Sequence, residues 1–199
     1  MKSKSICTYL LGALCLSSPA LAKAEAATVY ADATATHVPA APGLHALDAV
    51  MLDVDGDGDL DVVVAVEYGQ NRLYLNDGTG RLTFRQGAFG SKRHENEHAR
   101  AADFNGDGTM DVLFVVEDQE EHALFFGDGR GGFTDVSDRL PRGSQANGVT
   151  VGDVNGDGLP DIVVGVTSEG KSGQARTLLL LNNPQEPGFF IDASATHLP

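Results

Sequence analysis

Residues 53–61 read Asp-Val-Asp-Gly-Asp-Gly-Asp-Leu-Asp, five carboxylates in nine positions with an apolar run directly behind them. Like charges this close repel strongly, and a cation is what lets them remain both ionised and clustered. Carboxylates at positions 1, 3, 5 and 9 of one tight loop, here Asp53, Asp55, Asp57 and Asp61, converge on a common point. Oxygen ligands with no His or Cys among them select Ca²⁺, which accepts six to eight oxygens in flexible geometry. Gly56 and Gly58 let the chain curl around the ion.

The pattern returns twice at an interval of 50 residues, as Asp103-Phe-Asn105-Gly-Asp107-Gly-Thr109-Met-Asp111 and as Asp153-Val-Asn155-Gly-Asp157-Gly-Leu159-Pro-Asp161. Position 7 is expected to offer its backbone carbonyl, which leaves its side chain free to vary, and it does: Asp59, Thr109, Leu159. Up to three Ca²⁺ ions are therefore expected. A lone Asp-Gly cluster reads as a solvated turn; three copies with one ligand spacing do not. An EF-hand shares the first six positions but needs a bidentate Glu at position 12 and flanking helices. Position 12 here is Val64, Phe114 and Val164, inside β-type runs, so that reading fails.

The elements that position these loops repeat too. A strand-like run precedes each loop, and Val- and Ile-rich runs with no helical period follow it, at Asp61–Val66, Asp111–Val116 and Asp161–Val166. A second pair of runs around a Gly-rich turn completes each unit, since Gly accepts the positive φ of tight turns. Four short antiparallel strands per unit of this length are propeller blades. The fold class is all-β: three tandem four-stranded antiparallel blades, about 44–89, 98–138 and 147–193, in a partial or open β-propeller. Asp32–Pro39 repeats Asp192–Pro199 at six of eight positions, which predicts an extra outer strand over 28–35. Propellers close with four to eight blades. Three blades predict an open edge, and two chains, as a homodimer, would supply six.

Lys2 and Lys4, the apolar stretch Ile6–Leu16 and the small-x-small sequence Ala20-Leu21-Ala22 predict a signal peptide over 1–22, too short to span a bilayer, and hence export to a secreted, periplasmic or cell-surface location. Both cysteines, Cys7 and Cys15, fall inside it, so the mature chain (23–199) would have no disulfide. Losing Lys2 and Lys4 moves the formal charge from −14 to −16. With 14 Lys+Arg against 28 Asp+Glu the chain lacks the basic stripe that nucleic acid requires.

The pattern D-x-[DN]-G-D-G-x-x-D followed by an apolar strand, in three copies in register, resembles the FG-GAP/VCBS repeat over about residues 28–199. That family includes the propeller blades of integrin alpha chains and many exported bacterial proteins. The resemblance implies that each loop joins strands one and two of a blade and binds Ca²⁺. Carried over by position, it implies ligands Asp53, Asp55, Asp57 and Asp61; Asp103, Asn105, Asp107 and Asp111; Asp153, Asn155, Asp157 and Asp161. Integrin-type propellers have seven blades, where this chain has three.

His94–His98, His-Glu-Asn-Glu-His, matches the H-E-x-x-H zinc motif, which works only on a helix. It falls before the second loop, where a polar connection between blades is expected. With no nucleophile motif and no phosphate loop, the chain is read as a non-enzyme: a secreted calcium-binding module for protein or glycan recognition or adhesion. The alternatives are a noncatalytic accessory or remnant of an extracellular hydrolase, and a structural unit that completes a propeller by oligomerising. Ligand contacts are expected on the blade ends opposite the acidic loops, in the connections Glu67–Asn71, Glu117–His122 and Ser168–Arg176.

Overall fold

In the computed structural model the residues described are 30–117, 121–142, 146–166 and 177–198, without the side chain of His94. The expected signal peptide, both cysteines, the connection 168–176 and residues 118–120 lie outside them. Clustering of contacts separates Met1–Asp32 from Ala33–Pro199, and the fold that follows is that of the second unit.

The repeat folds as three antiparallel meanders, with twelve strands among the described residues. The first blade holds β1 (Ala46–Leu52), β2 (Asp61–Gly69), β3 (Arg72–Asn76) and β4 (Leu82–Arg85). The second holds β5 (His94–Ala102), β6 (Asp111–Val116), β7 (Ala123–Gly127) and β8 (Phe133–Asp135), and the third β9 (Ala146–Gly152), β10 (Asp161–Val166), β11 (Thr177–Asn182) and β12 (Phe190–Asp192). In each blade the first strand pairs with the second, the second with the third and the third with the fourth. Blades one and two also join through a short pairing of β2 with β5, Glu67 opposite Glu95, giving one eight-stranded sheet beside a four-stranded one.

Alternation along the second strand of each blade explains the packing. Val63 and Ala65 enter the core between blades one and two, where Val112 and Phe114 meet them. Leu113 and Val115, pointing the other way, enter the core between blades two and three against Ile162 and Val164. Strand β6 is therefore buried at all six residues, because a neighbour covers each face. Strand β10 has one covered face and one bearing Gly165, which is exposed. A ring of T-shaped and tilted contacts seats Phe89, in the connection between blades one and two, on Phe114, Phe125 and Phe133, with centroids 4.8–5.3 Å apart.

Two expectations need correction. The described part of 28–35 forms no strand; Thr34–His37 is a one-turn helix, α1, and its sequence echo Ser194–His197 is a second, α2. The shared Asp-x-[Ser/Thr] motif explains why the echo misled. In the C-terminal copy Asp192 ends the strand, and the Ser194 N–H and hydroxyl both bond its carboxylate, turning the chain into a helix. The motif thus marks where an outer strand stops. The second blade also begins at His94 rather than near 98, so His94–His98 is strand and not a connecting loop.

Candidate metal centres

Each acidic loop connects the first and second strands of its blade. Leu52 pairs with Asp61, Ala102 with Asp111 and Gly152 with Asp161, so position 9 is already a strand residue. Two glycines per loop take φ between 73° and 90°, the region that favours Gly, and let the chain wind inward.

The backbone of the loop closes on two carboxylates. Asp53 accepts the N–H of Gly56 and of Gly58, at 2.7 and 3.0 Å. Asp103 accepts those of Asp107 and Gly108, and Asp153 those of Gly156 and Gly158. Asp61, Asp111 and Asp161 are fully buried, and each bridges two places in its blade. One oxygen accepts from loop position 2 (Val54, Phe104, Val154) and the other from the end of the third strand (Asn76, Gly127, Asn182), at 2.8–3.0 Å. Burial pushes the Asp111 carboxyl up to about 6, against the pull of those two N–H groups. The bonds to the third strand carry no local sequence signal, because the donor is main chain 15 to 21 residues downstream.

Position 5 turns its carboxylate onto the backbone as well: Asp57, Asp107 and Asp157 accept the N–H of Asp59, Thr109 and Leu159. The position-7 side chains lie outside the loop. Asp59 crowds Gly78, Thr109 donates its hydroxyl to Asp107 and reaches Gly127 O, and Leu159 lies beside Gly106 of the preceding loop. The Thr109 hydroxyl holds the Asp107 carboxyl below its ordinary value.

Position 3 distinguishes the loops. In loops two and three the amide of Asn105 or Asn155 donates to the acid at position 5, at 2.8 and 2.9 Å. In loop one Asp55 has no hydrogen to donate. Its Oδ1 is buried and has no hydrogen-bond partner among the described residues. Burial first, then the charges of Asp57, Asp61 and Asp53, raise its carboxyl above the ordinary range. Asp53, Asp55 and Asp61 bring an oxygen each within 4.8 Å of one another. A carboxylate with a buried unpartnered oxygen, gathered with two further carboxylates and with oxygen ligands alone, fits a hard cation.

A model of the FG-GAP-like repeat matches residues 53–114 and 103–164, which together cover 112 of the 199 residues, from the first loop to the strand after the third. The chain belongs to the FG-GAP-like repeat family. Comparison with curated proteins yields no match. Each match begins at an acidic loop, after the first strand of one blade, and ends within the second strand of the next.

The zinc-like motif has another use in this FG-GAP-like chain. Positions i and i+4 of a strand lie roughly 13 Å apart, too far to share an ion. His98 instead bonds Asp48 of β1 through Nδ1, at 3.1 Å, and Asn147 O of β9 through Nε2, at 3.3 Å. Arg100 bonds the same Asp48 at 2.7 Å and Val149 O at 3.1 Å. The first strands of all three blades are thereby tied together by His98 and Arg100 on one carboxylate, Asp48, a residue that no sequence motif singled out. A second gathering of acids, Glu95, Glu97 and Glu117, also went unnoticed. Glu95 accepts from the Tyr68 hydroxyl and Glu117 from the Asn147 amide, so two of these three acids have protein partners.

Proposed function

We propose that this chain is an exported, noncatalytic recognition or adhesion module of FG-GAP-like blades, braced by Ca²⁺ at its three acidic loops. The observation that carries the calcium reading is the buried Asp55 Oδ1, without a hydrogen-bond partner among the described residues, on a side chain that gathers with Asp53 and Asp61. The ligand oxygens would come from Asp53, Asp55, Asp57 and Asp61 with the Asp59 carbonyl in loop one. In loops two and three they would come from Asp103, Asn105, Asp107 and Asp111 with the Thr109 carbonyl, and from Asp153, Asn155, Asp157 and Asp161 with the Leu159 carbonyl. Mg²⁺ fits poorly, because it dehydrates reluctantly and demands octahedral geometry. A protein or glycan ligand would engage the opposite ends of the blades, where Glu67–Asn71 and Glu117–His122 share no pattern while the acidic loops share one. Among the described residues no helix is long and apolar enough to cross a membrane.

Titration calorimetry of the mature chain with Ca²⁺ and with Mg²⁺ tests this. Heat from up to three Ca²⁺ sites, tightest in the four-carboxylate loop, is expected. A site occupied to a hundredfold excess over Kd stabilises the fold by about 2.7 kcal/mol, so chelation lowers the melting temperature. No Ca²⁺ heat together with an unchanged melting curve in chelator would overturn the calcium reading.

A further inference from the structure

Equivalent residues at the two ends of the blade array differ sharply in exposure from those inside it. Loop position 2 is 3% exposed at Val54 and 0% at Phe104, but 55% at Val154. Position 8 is 53% exposed at Leu60, whereas Met110 packs against the core between blades one and two. Leu140, before Pro141 in the connection between blades two and three, is buried in their junction, while Val38, before Pro39 ahead of blade one, is 41% exposed.

The cause lies in how blades meet. Each junction inside the chain joins a leading face to a trailing face. Blade one leads with Val54, Val63, Ala65 and Leu73, and blade two receives them with Ala101, Met110, Val112 and Phe114. Blade two leads with the equivalent Phe104, Leu113, Val115 and Leu124 into Ile162, Val164 and Leu178 of blade three. Register carries the same positions to the ends. The leading face of blade three presents Val154 and Ile191, both more than half exposed, beside the half-buried Val163 and the buried Leu179. The trailing face of blade one presents Met51, 66% exposed, and Leu60. Leu44 and Tyr74 pack with Val64 and Val66 on this face, leaving its loop end open.

We propose that the leading face of blade three docks on the trailing face of blade one in a second copy of this chain. The occupant follows from continuity: the junction formed twice within the chain has one half at each end of the described array, and each half is open at Val154 and Ile191 or at Met51 and Leu60. The two faces differ, so the contact is head-to-tail rather than self-complementary. Two copies joined in this way at both junctions bring together six blades, within the range at which propellers close. The main-chain link seen inside the chain, Gly131 N to Val54 O at 2.8 Å, has its counterpart in Val154 O, which a following blade's hairpin would reach.

Sedimentation of the mature chain in calcium-containing buffer, across a wide concentration range, tests the proposal. The wild type is expected at the mass of two copies. Val154→Gln and Leu60→Gln place an uncharged polar side chain on opposite end faces, at residues already open to solvent and without adding charge to the acidic loops, so each chain keeps its melting temperature when dilute. Each variant alone is expected as a single copy. Mixed, they regain a dimer at higher concentration than wild type, because each retains the face the other has lost. A wild type that stays single at every concentration overturns the proposal. So do variants that sediment like wild type, and a mixture that remains single refutes the head-to-tail geometry.

Discussion

In loop one Asp55 keeps a buried oxygen without a hydrogen-bond partner among the described residues, while Asn105 and Asn155 at the same place each donate an amide hydrogen to the acid two residues on. Around this difference the three loops share one frame, with position 1 gathering loop N–H groups and position 9 stapling the loop to the third strand. The frame is a property of the blade. The inward charge varies between copies, and the Asn loops already satisfy part of it with protein groups. Loop one should therefore depend most on its ion, and loops two and three should hold their form better without it.

The comparison also runs through position 2, where packing rather than charge differs. Phe104 fills the junction between blades two and three, and Phe104→Ala is expected to cost about 3–5 kcal/mol. Val154→Ala, at the exposed equivalent, should stay within about 0.5 kcal/mol for the single chain. Denaturant midpoints of the two variants measure the contrast, and equal losses would mean that the end face is covered.

The shared frame is tested by Asp111→Ala. It strands the N–H groups of Phe104 and Gly127 in a buried place, and a loss of about 2–4 kcal/mol is expected with or without Ca²⁺. A loss seen only with calcium present would make Asp111 a ligand and nothing more.

A control comes from the far end of blade two. His122 is buried, its Nδ1 accepts the Val116 N–H, and burial lowers its ordinary value of 6.5 to about 4. Between those values the unfolded chain takes up the proton and the folded one does not. The contribution of His122 is thus complete above pH 6.5 and declines as pH falls to about 4. His122→Asn keeps an acceptor that cannot titrate, and should lose about 2 kcal/mol less than wild type between pH 7 and 5. Parallel pH profiles for the two proteins would assign all acid sensitivity elsewhere, to the loops first.

The smallest effect sharpens the opening contrast most directly. Asp55→Asn gives loop one the chemistry of its copies, and calorimetry should show that site about tenfold weaker for Ca²⁺. In chelator the variant should melt above wild type, because the amide can donate to Asp57 and one inward charge is gone. A variant less stable than wild type in both conditions would reject the reading of Asp55 Oδ1 as an oxygen kept for a cation.

The repeat, the strand order within each blade and the place of each acidic loop were all legible in the residues. They are local: hydrophobic alternation, glycines where φ turns positive, and carboxylates counted along a nine-residue loop. Tertiary structure decided what depends on residues far apart in the chain. The position-9 carboxylate became a staple because its second N–H partner lies on the third strand, and Asp48 became a hub because His98 and Arg100 reach it from the next blade. The same holds at the ends. Val54 and Val154 are the same residue type in the same motif, yet one is buried and the other bare, because blade two covers the first and no described blade lies against the second.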